Sequence, residues 1–149
     1  MKLERYLGKD EQKKYLDFMK NAEWGAGKFL YQTIVDGKYF KKFGESAKLY
    51  FLLDEGNPIS FINIVERDYI KTVEFDRWIA LLYIDPKYRG QGLSLKMIGC
   101  MEEELKKDGF NEAHIATQHF GLYEKMGYKL VKEVHDSIHD VDYIYEKGL

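Results

Sequence analysis

The most informative segment of the chain is Tyr83-Ile84-Asp85-Pro86-Lys87-Tyr88-Arg89-Gly90-Gln91-Gly92-Leu93-Ser94. Its first two residues are the last two of an apolar run, 78–84, which has the composition of a buried β-strand. After Gly92, apolar residues recur at the spacing of one helix face, namely Leu93, Met97, Ile98, Met101 and Leu105. The stretch therefore predicts a strand, a glycine turn and an amphipathic helix.

Such a junction is suited to binding an anion. Glycines let several backbone N–H groups converge, and the start of a helix carries a partial positive charge. Arg89 adds a full positive charge, so a phosphate group is the expected ligand. The simpler alternative is a tight turn of small residues beside a solvated arginine. Two familiar phosphate loops do not fit: Leu95 replaces the third glycine of the dinucleotide fingerprint, and no G-x-x-x-x-G-K-[ST] sequence occurs.

The rest of the chain predicts a mixed sheet with helices. Residues 49–53 and 59–65 are rich in β-formers and flank a turn, which indicates a hairpin. Before the hairpin, the apolar spacing predicts a strand at 2–7, a helix with Asp10 as its N-cap that ends near Asn21, and a second helix from Phe29 to Val35. After the long helix, the patterns predict a strand at 114–116, a short helix at 120–126, and strands at 128–134 and 141–145.

Composition narrows the class of protein. The 149 residues are 45% hydrophobic and 32% charged, which fits one domain covering residues 1–149. A net charge of -2 with mixed signs disfavours nucleic-acid binding, and no apolar run approaches the roughly 18 residues of a membrane span. Cys100 is the one cysteine, which excludes an internal disulfide, and the charged start lacks a secretory signal pattern. We therefore expect a cytoplasmic protein with no membrane partner.

Two segments resemble the motifs of the GNAT superfamily, the acyl-CoA-dependent N-acetyltransferases. Arg89-x-x-Gly92-x-Ser94 is similar to motif A, R/Q-x-x-G-x-G/A, with Ser in the last position. Residues 122–128, LYEKMGY, are similar to motif B, Y-E-K-x-G-F/Y, and follow motif A in the family's order. The resemblance covers residues from about 47 to 149. It implies an α/β (mixed α+β) GNAT fold, with a central, mostly antiparallel mixed sheet of six to seven strands flanked by about four helices.

The resemblance also implies a binding site for acetyl-CoA, a cosubstrate. In the family, the strand before motif A pairs its backbone with the pantetheine arm, which here assigns Leu82, Tyr83 and Ile84. The amides of motif A hold the pyrophosphate, which assigns Arg89, Gly90, Gln91, Gly92, Leu93 and Ser94. Ala116 replaces an asparagine that often contacts the pantetheine amides, and Thr117, Gln118 or His119 are the candidates to substitute for it.

Catalysis requires an acid for the leaving thiolate and a base for the amine. The motif B tyrosine often donates that proton, which assigns Tyr123, and a phenol of pKa about 10 suits the task. The alternative is a tyrosine that only packs against the core. A primary amine is protonated at neutral pH, and Glu74 or Asp76 is the predicted base. Solvated charges at a strand entry, or a relay of ordered water, are the alternatives.

The resulting hypothesis is an N-acetyltransferase that acts on a primary amine of a small molecule or peptide by direct attack in a ternary complex. The aromatic N-terminal helices and the closing hairpin would form the acceptor side, which favours a cationic or aromatic-bearing amine. No metal is expected, because residues 133–142 gather His135, His139 and four acids in the pattern of a polar loop. A homodimer is consistent with the family. The alternatives are a non-catalytic acyl-CoA sensor or regulatory module, and a nucleotide-phosphate site.

Overall fold

The structure is a computed structural model that describes residues 1–68, 75–135 and 141–149. Its strands are β1 (Lys2–Arg5), β2 (Lys48–Asp54), β3 (Asn57–Val65), β4 (Trp78–Ile84), β5 (Glu112–Thr117), β6 (Lys129–Val134) and β7 (Asp142–Gly148). Its α-helices are α1 (Lys13–Lys20), α2 (Gly25–Val35), α3 (Tyr39–Phe43) and α4 (Leu93–Lys107). Among the described residues, none of the helices combines the length and the apolar composition that a membrane span requires.

The strands form one sheet in the order β1-β2-β3-β4-β5-β7-β6. Neighbouring strands are antiparallel except β4 and β5, which are parallel. This confirms the prediction of a mixed, mostly antiparallel sheet of six to seven strands with about four helices. The helices cover both faces: α1 and α2 pack on one, where Phe51, Phe61 and Trp78 are buried, and α4 packs on the other.

The N-terminal helices differ from the prediction. Asp10 does not cap an α-helix, because residues 10–12 form a 3-10 turn and α1 begins at Lys13. Gly25 and Gly27 lie in the first turn of α2, whereas the prediction placed them before that helix. Gly27 is closely packed: a Cβ there would lie 3.1 Å from Ala22 and 3.4 Å from Phe61. The five-residue helix α3 was not predicted, because it is too short to show a periodic pattern.

The C-terminal half follows the prediction with one correction. The predicted helix at 120–126 is a single 3-10 turn, Tyr123–Met126, which ends at Gly127 with a φ of 93°. Glu74 lies outside the described residues, as do residues 136–140 of the polar loop with His139.

Hydrogen bonds to the buried Glu102 carboxylate connect this turn to α4. The Tyr128 hydroxyl donates to Glu102 Oε2 at 2.8 Å, and Lys147 Nζ donates to Glu102 Oε1 at 3.0 Å. Burial, reinforced by the neighbouring carboxylate, raises the pKa of Tyr128 well above its usual value. The phenol is therefore the stable form in the fold, and its contribution to stability is full below pH about 10 and is lost as the pH rises through the folded-state pKa.

Replacing Tyr128 with phenylalanine should lower the free energy of unfolding by about 1–3 kcal/mol at neutral pH, because the buried Glu102 carboxylate loses a donor. Urea denaturation followed by circular dichroism measures this loss. The difference between the wild type and the variant should shrink as the pH rises above about 10, where the tyrosine starts to ionise in the unfolded chain. A variant as stable as the wild type at neutral pH would contradict the role of this hydrogen bond.

Candidate active site

The site begins where β4 and β5 separate. Their ladder contains one register pair, Trp78 with His114, and His114 N donates to the Arg77 carbonyl at 3.1 Å. Beyond that pair, within the described strands, β4 continues to Ile84 along β3 while β5 continues to Thr117 along β7. The facing edges of the two strands therefore leave backbone groups unpaired on both sides of a gap, and these groups can bind an extended polar ligand.

A β-bulge in β4 decides which backbone groups face this gap. Asn63 pairs with Ala80 and Phe61 with Tyr83, so Leu81 and Leu82 together oppose Ile62. Leu81 has a φ of 52°, a left-handed conformation that is uncommon for a branched residue. In a regular strand, the backbone groups of successive residues point to opposite neighbouring strands. The extra residue shifts this alternation by one position, so the residues whose backbone groups face the gap are not the same before the bulge as after it.

The hydrogen bonds of β4 show this reversal. Before the bulge, the Arg77 carbonyl points to β5, and after the bulge Asp85 N points to β3, where it donates to the Ile59 carbonyl. In a strand without a bulge, the backbone groups of residues 77 and 85 would point to the same side, because the two positions are an even number of residues apart. The Tyr83 carbonyl also faces β3, where it accepts from Ser60 Oγ at 2.6 Å. Leu82 and Ile84 are therefore the residues whose backbone faces the gap, whereas the Tyr83 backbone is directed to β3.

The glycine turn lies at the end of β4. Gly90 and Gly92 have φ values of 82° and 74°, and a Cβ on either would meet no atom within 4 Å. Their conformation, and not close packing, is what requires glycine here. Both glycines and Gln91 are exposed, so the turn is open to a ligand.

Helix α4 begins directly after the turn, with Gly92 as its N-cap. Its first bond back to the cap runs from Lys96 N to the Gly92 carbonyl, at 3.2 Å. The amides of Leu93, Ser94 and Leu95 precede this bond and have no partner within the helix. The Leu93 side chain is buried beneath α4, which fixes the first turn against the sheet. The helix thus presents free N–H groups and its positive end beside the glycines.

Arg89 is held against the strand that it follows. Its Nε donates to the Ile84 carbonyl at 3.0 Å, and its guanidinium carbon lies 5.6 Å from the centre of the Tyr83 ring. The residue is exposed, so its terminal amino groups can reach a ligand in the turn. These contacts restrict the position of the cation at the mouth of the gap.

Tyr123 lies on the opposite side of the gap, near the end of β5. Its phenol forms a hydrogen bond with the Thr117 hydroxyl, and Thr117 Oγ1 accepts from His119 N at 3.0 Å. Burial raises the pKa of Tyr123, and the bond with Thr117 offsets part of that rise. The phenol therefore stays protonated at neutral pH and is available as a proton donor. His119 is exposed just beyond the end of β5.

Asp76, one of the two predicted bases, is not in this group. Asp76 lies two residues before β4, at the end where β4 and β5 are paired, and its side chain is 82% exposed with Arg77 Nη1 at 3.6 Å. The structure thus brings together the turn, the unpaired backbone of β4 and the end of β5 with Tyr123. It leaves Asp76 at the other end of the strands.

A cluster of metal-ligating residue types occurs at that paired end. His114 Nε2 lies 3.0 Å from Glu146 Oε2 and 3.9 Å from Glu112 Oε2, and the Phe75 ring stacks on the imidazole at 3.9 Å. This His–Glu pair joins β5 to β7 beside the only point at which the described residues pair β4 with β5. The cluster lies away from the gap, and its residues are outside the segment 133–142 in sequence.

Sequence reasoning missed two residues that support the bulge. Asn63 of β3 and Tyr39 of α3 are buried and are connected to the Leu81 carbonyl by hydrogen bonds. No motif marks either residue, since a single Asn within an apolar strand has no characteristic spacing. Only the register between β3 and β4 places Asn63 beside the bulge.

Comparison with known proteins places these features in a family. Residues 45–130 match the model of the acetyltransferase (GNAT) domain. Comparison with curated proteins found no match. Solved structures with a similar fold cover nearly the whole chain at low identity, so the likeness shows the fold alone.

Three of these structures illustrate the likeness. Aminoglycoside 6'-acetyltransferase type Ii has a TM-score of 0.72 at 14% identity, covering 99% of this chain and 97% of that one. The PaiA N-acetyltransferase from Thermoplasma acidophilum, solved with coenzyme A, has a TM-score of 0.65 at 16% identity over 100% of both chains. The ribosomal-protein-S18-alanine N-acetyltransferase from Escherichia coli has a TM-score of 0.67 at 15% identity, covering 99% of this chain and 92% of that one.

Proposed function

We propose, on the premise that this chain belongs to the GNAT family of acetyltransferases, that it transfers an acetyl group from acetyl-CoA to a primary amine of a small molecule or peptide. The observation that carries the proposal is the gap between β4 and β5, which ends at a glycine turn and the start of α4. Unpaired backbone beside a cluster of free amides suits a ligand with an amide-containing arm and a pyrophosphate.

The chain's own residues match the two parts of this donor. Leu82 offers its backbone groups and Ile84 its N–H to the pantetheine amides in the gap, since the Ile84 carbonyl accepts from Arg89 Nε. The Tyr83 ring lies beside the Arg89 guanidinium. The amides from Gly90 to Ser94 offer hydrogen bonds to the pyrophosphate, and Arg89 neutralises part of its charge. His119 lies where it can contact the pantetheine arm from the β5 side.

The chemistry is a direct transfer within a ternary complex. The amine nitrogen attacks the thioester carbonyl, a C–N bond forms and the C–S bond breaks. Tyr123 gives its phenolic proton to the departing sulfur and recovers a proton from solvent. A phenol whose pKa is raised by burial holds this proton throughout the neutral range. The proton of the attacking amine goes to a relay of ordered water or to Glu74, because Asp76 lies at the paired end of the strands, away from the gap.

The acceptor side is aromatic. The Trp24 ring stacks beside Tyr83 at 6.0 Å, and Phe18 meets the same ring edge-on at 5.9 Å. These rings come from α1 and from the entry to α2, on the face of β4 opposite to α4. An amine that carries a positive charge or an aromatic group matches such a surface.

Acetyl-CoA titrated into the protein by calorimetry tests the donor site. We expect micromolar affinity for the wild type and at least about tenfold weaker binding for Arg89→Glu, which reverses the charge beside the pyrophosphate. Arg67→Glu is the matched control, because Arg67 is also exposed and also donates to main-chain carbonyls, those of Lys41 and Lys42, far from the glycine turn.

This titration, together with an assay of amine turnover and competition by ATP, separates the alternative functions. No binding of acetyl-CoA to the wild type would reject both the transferase and the acyl-CoA sensor. Binding without turnover of any amine would favour the sensor. If ATP displaced the donor as well as adenosine 3',5'-bisphosphate did, the nucleotide-phosphate site would be the better reading.

A further inference from the structure

Both polar atoms of the Asn63 side-chain amide have hydrogen-bond partners inside the core. Asn63 is fully buried on β3, on the face covered by α1 and α2. Its Oδ1 accepts from the Tyr39 hydroxyl at 2.8 Å, and its Nδ2 donates to the Leu81 carbonyl at 3.4 Å. An amide in an apolar core costs free energy unless it is paired, and here each end has a partner in a different element.

The bond to Leu81 acts on the strained residue of the site. A left-handed conformation is unfavourable for Leu81, and such strain persists only where the surroundings maintain it. Asn63 pairs in register with Ala80, directly before the bulge, and its side chain reaches across to the carbonyl of the bulged residue. The Asn63 side-chain amide therefore takes the place of a hydrogen bond that the bulge removes from the ladder between β3 and β4.

Tyr39 determines which way this amide points. Its ring is packed between Phe40 and Phe43 of α3, so its hydroxyl has a fixed position. Because the hydroxyl donates to the Asn63 oxygen, the Asn63 NH2 group is directed to Leu81. Burial raises the pKa of Tyr39, so the hydroxyl remains a donor at neutral pH.

We propose that Asn63, oriented by Tyr39, is a positioning residue for acetyl transfer, because it holds the Leu81 bulge and thereby determines which backbone groups of β4 face the acyl donor. This inference rests on the proposed function. In a β4 strand without the bulge, the backbone groups of Leu82 and Ile84 would point to β3. The backbone groups of the adjacent residues would then face the thioester in their place. The pyrophosphate site would be retained, since it depends on the turn and on α4.

Two substitutions remove different parts of this network. Asn63→Asp keeps the size of the side chain and an acceptor for Tyr39, but it has no N–H to donate to Leu81. Tyr39→Phe removes only the hydroxyl that orients the amide. Tyr50→Phe is the matched control, since it also removes a tyrosine hydroxyl that donates to a side chain, here the Glu104 carboxylate of α4 at 3.1 Å on the other face of the sheet. The stability of each variant is measured by urea denaturation.

The main measurement is the amide resonances of Leu82 and Ile84 in 15N-labelled protein, titrated with acetyl-CoA and with CoA. In the wild type we expect these amides to shift differently with the two ligands, because only acetyl-CoA places a thioester beside β4. Asn63→Asp and Tyr39→Phe should lose this difference while still binding CoA, and Tyr50→Phe should keep it. Thiol release from acetyl-CoA with tyramine as the acceptor should fall about 10- to 100-fold in kcat for Asn63→Asp, with the KM for acetyl-CoA unchanged.

The outcomes distinguish the inference from the function on which it rests. If the wild type binds no acetyl-CoA, the proposed function fails. If the wild type binds acetyl-CoA but its Leu82 and Ile84 amides respond equally to both ligands, the positioning role fails while the function stands. The role also fails if either folded variant keeps the wild-type difference. Should Asn63→Asp not fold, Tyr39→Phe decides the question alone.

Discussion

Replacing Tyr123 with phenylalanine is expected to lower kcat by about two to four orders of magnitude while the affinity for acetyl-CoA stays the same. The variant keeps the ring that packs 6.2 Å from Tyr128 and 6.1 Å from Tyr145, and it removes only the hydroxyl bonded to Thr117. The departing thiolate then has no positioned acid, so the loss falls on the chemical step. Steady-state kinetics with a saturating amine, beside calorimetry with CoA, measures the two effects separately.

The pH dependence of the reaction provides a second check. Because burial raises the Tyr123 pKa, the acid remains protonated from neutral pH to about pH 10, and its ionisation should cause no loss of kcat below that point. Tyr50→Phe serves as the control here too, since its hydroxyl lies away from the gap. A Tyr123→Phe variant with the kcat of the wild type would show that the thiolate leaves without help from this residue.

Replacing Gly92 with alanine should weaken the binding of acetyl-CoA by about a hundredfold, or about 2.7 kcal/mol. The φ of 74° is unfavourable for alanine, so the turn and the first amides of α4 must rearrange. A methyl group there would also project into the open space in front of the turn, where the pyrophosphate is expected. Calorimetric titration of the variant with acetyl-CoA measures the loss.

Gly8→Ala is the matched control for this prediction. Gly8 has the same φ of 74°, and a Cβ there also meets no atom within 4 Å. It lies after β1, away from the gap, so its substitution imposes a similar backbone strain without touching the site. Equal loss of acetyl-CoA affinity in both variants would indicate a general effect on the fold and would contradict the assignment of the glycine turn.

Local signals explain which parts of the site the sequence predicts well. Gly90 and Gly92 are needed for their own φ angles, and helix α4 follows from apolar spacing within one segment. The hairpin of β2 and β3 has its turn residues next to its strands. Each of these features depends on residues close in sequence, where backbone sterics and hydrophobic periodicity act directly.

Features that depend on distant residues could not be predicted in this way. The bulge at Leu81 appears only when β3 is in register, and Asn63 gains its role from that register and from Tyr39, which lies 24 positions away in sequence. Helix α3, which carries Tyr39, has five residues and leaves no periodic signal. Asp76, chosen for its proximity to β4 in sequence, lies at the paired end of the strands because β4 extends away from it.

The order of the strands, the glycine turn with its helix and the choice of Tyr123 as the candidate proton donor could therefore be read from the amino-acid sequence. Each of these follows from the conformational preferences of neighbouring residues or from motifs that they form. Other features emerge only from the folded chain: β4 and β5 separate after a single pair, Leu82 and Ile84 face the gap, and Asn63 Nδ2 donates to the Leu81 carbonyl at the bulge. Strand pairing is a contact between distant segments, and a shift of one residue in its register reverses every group along a strand.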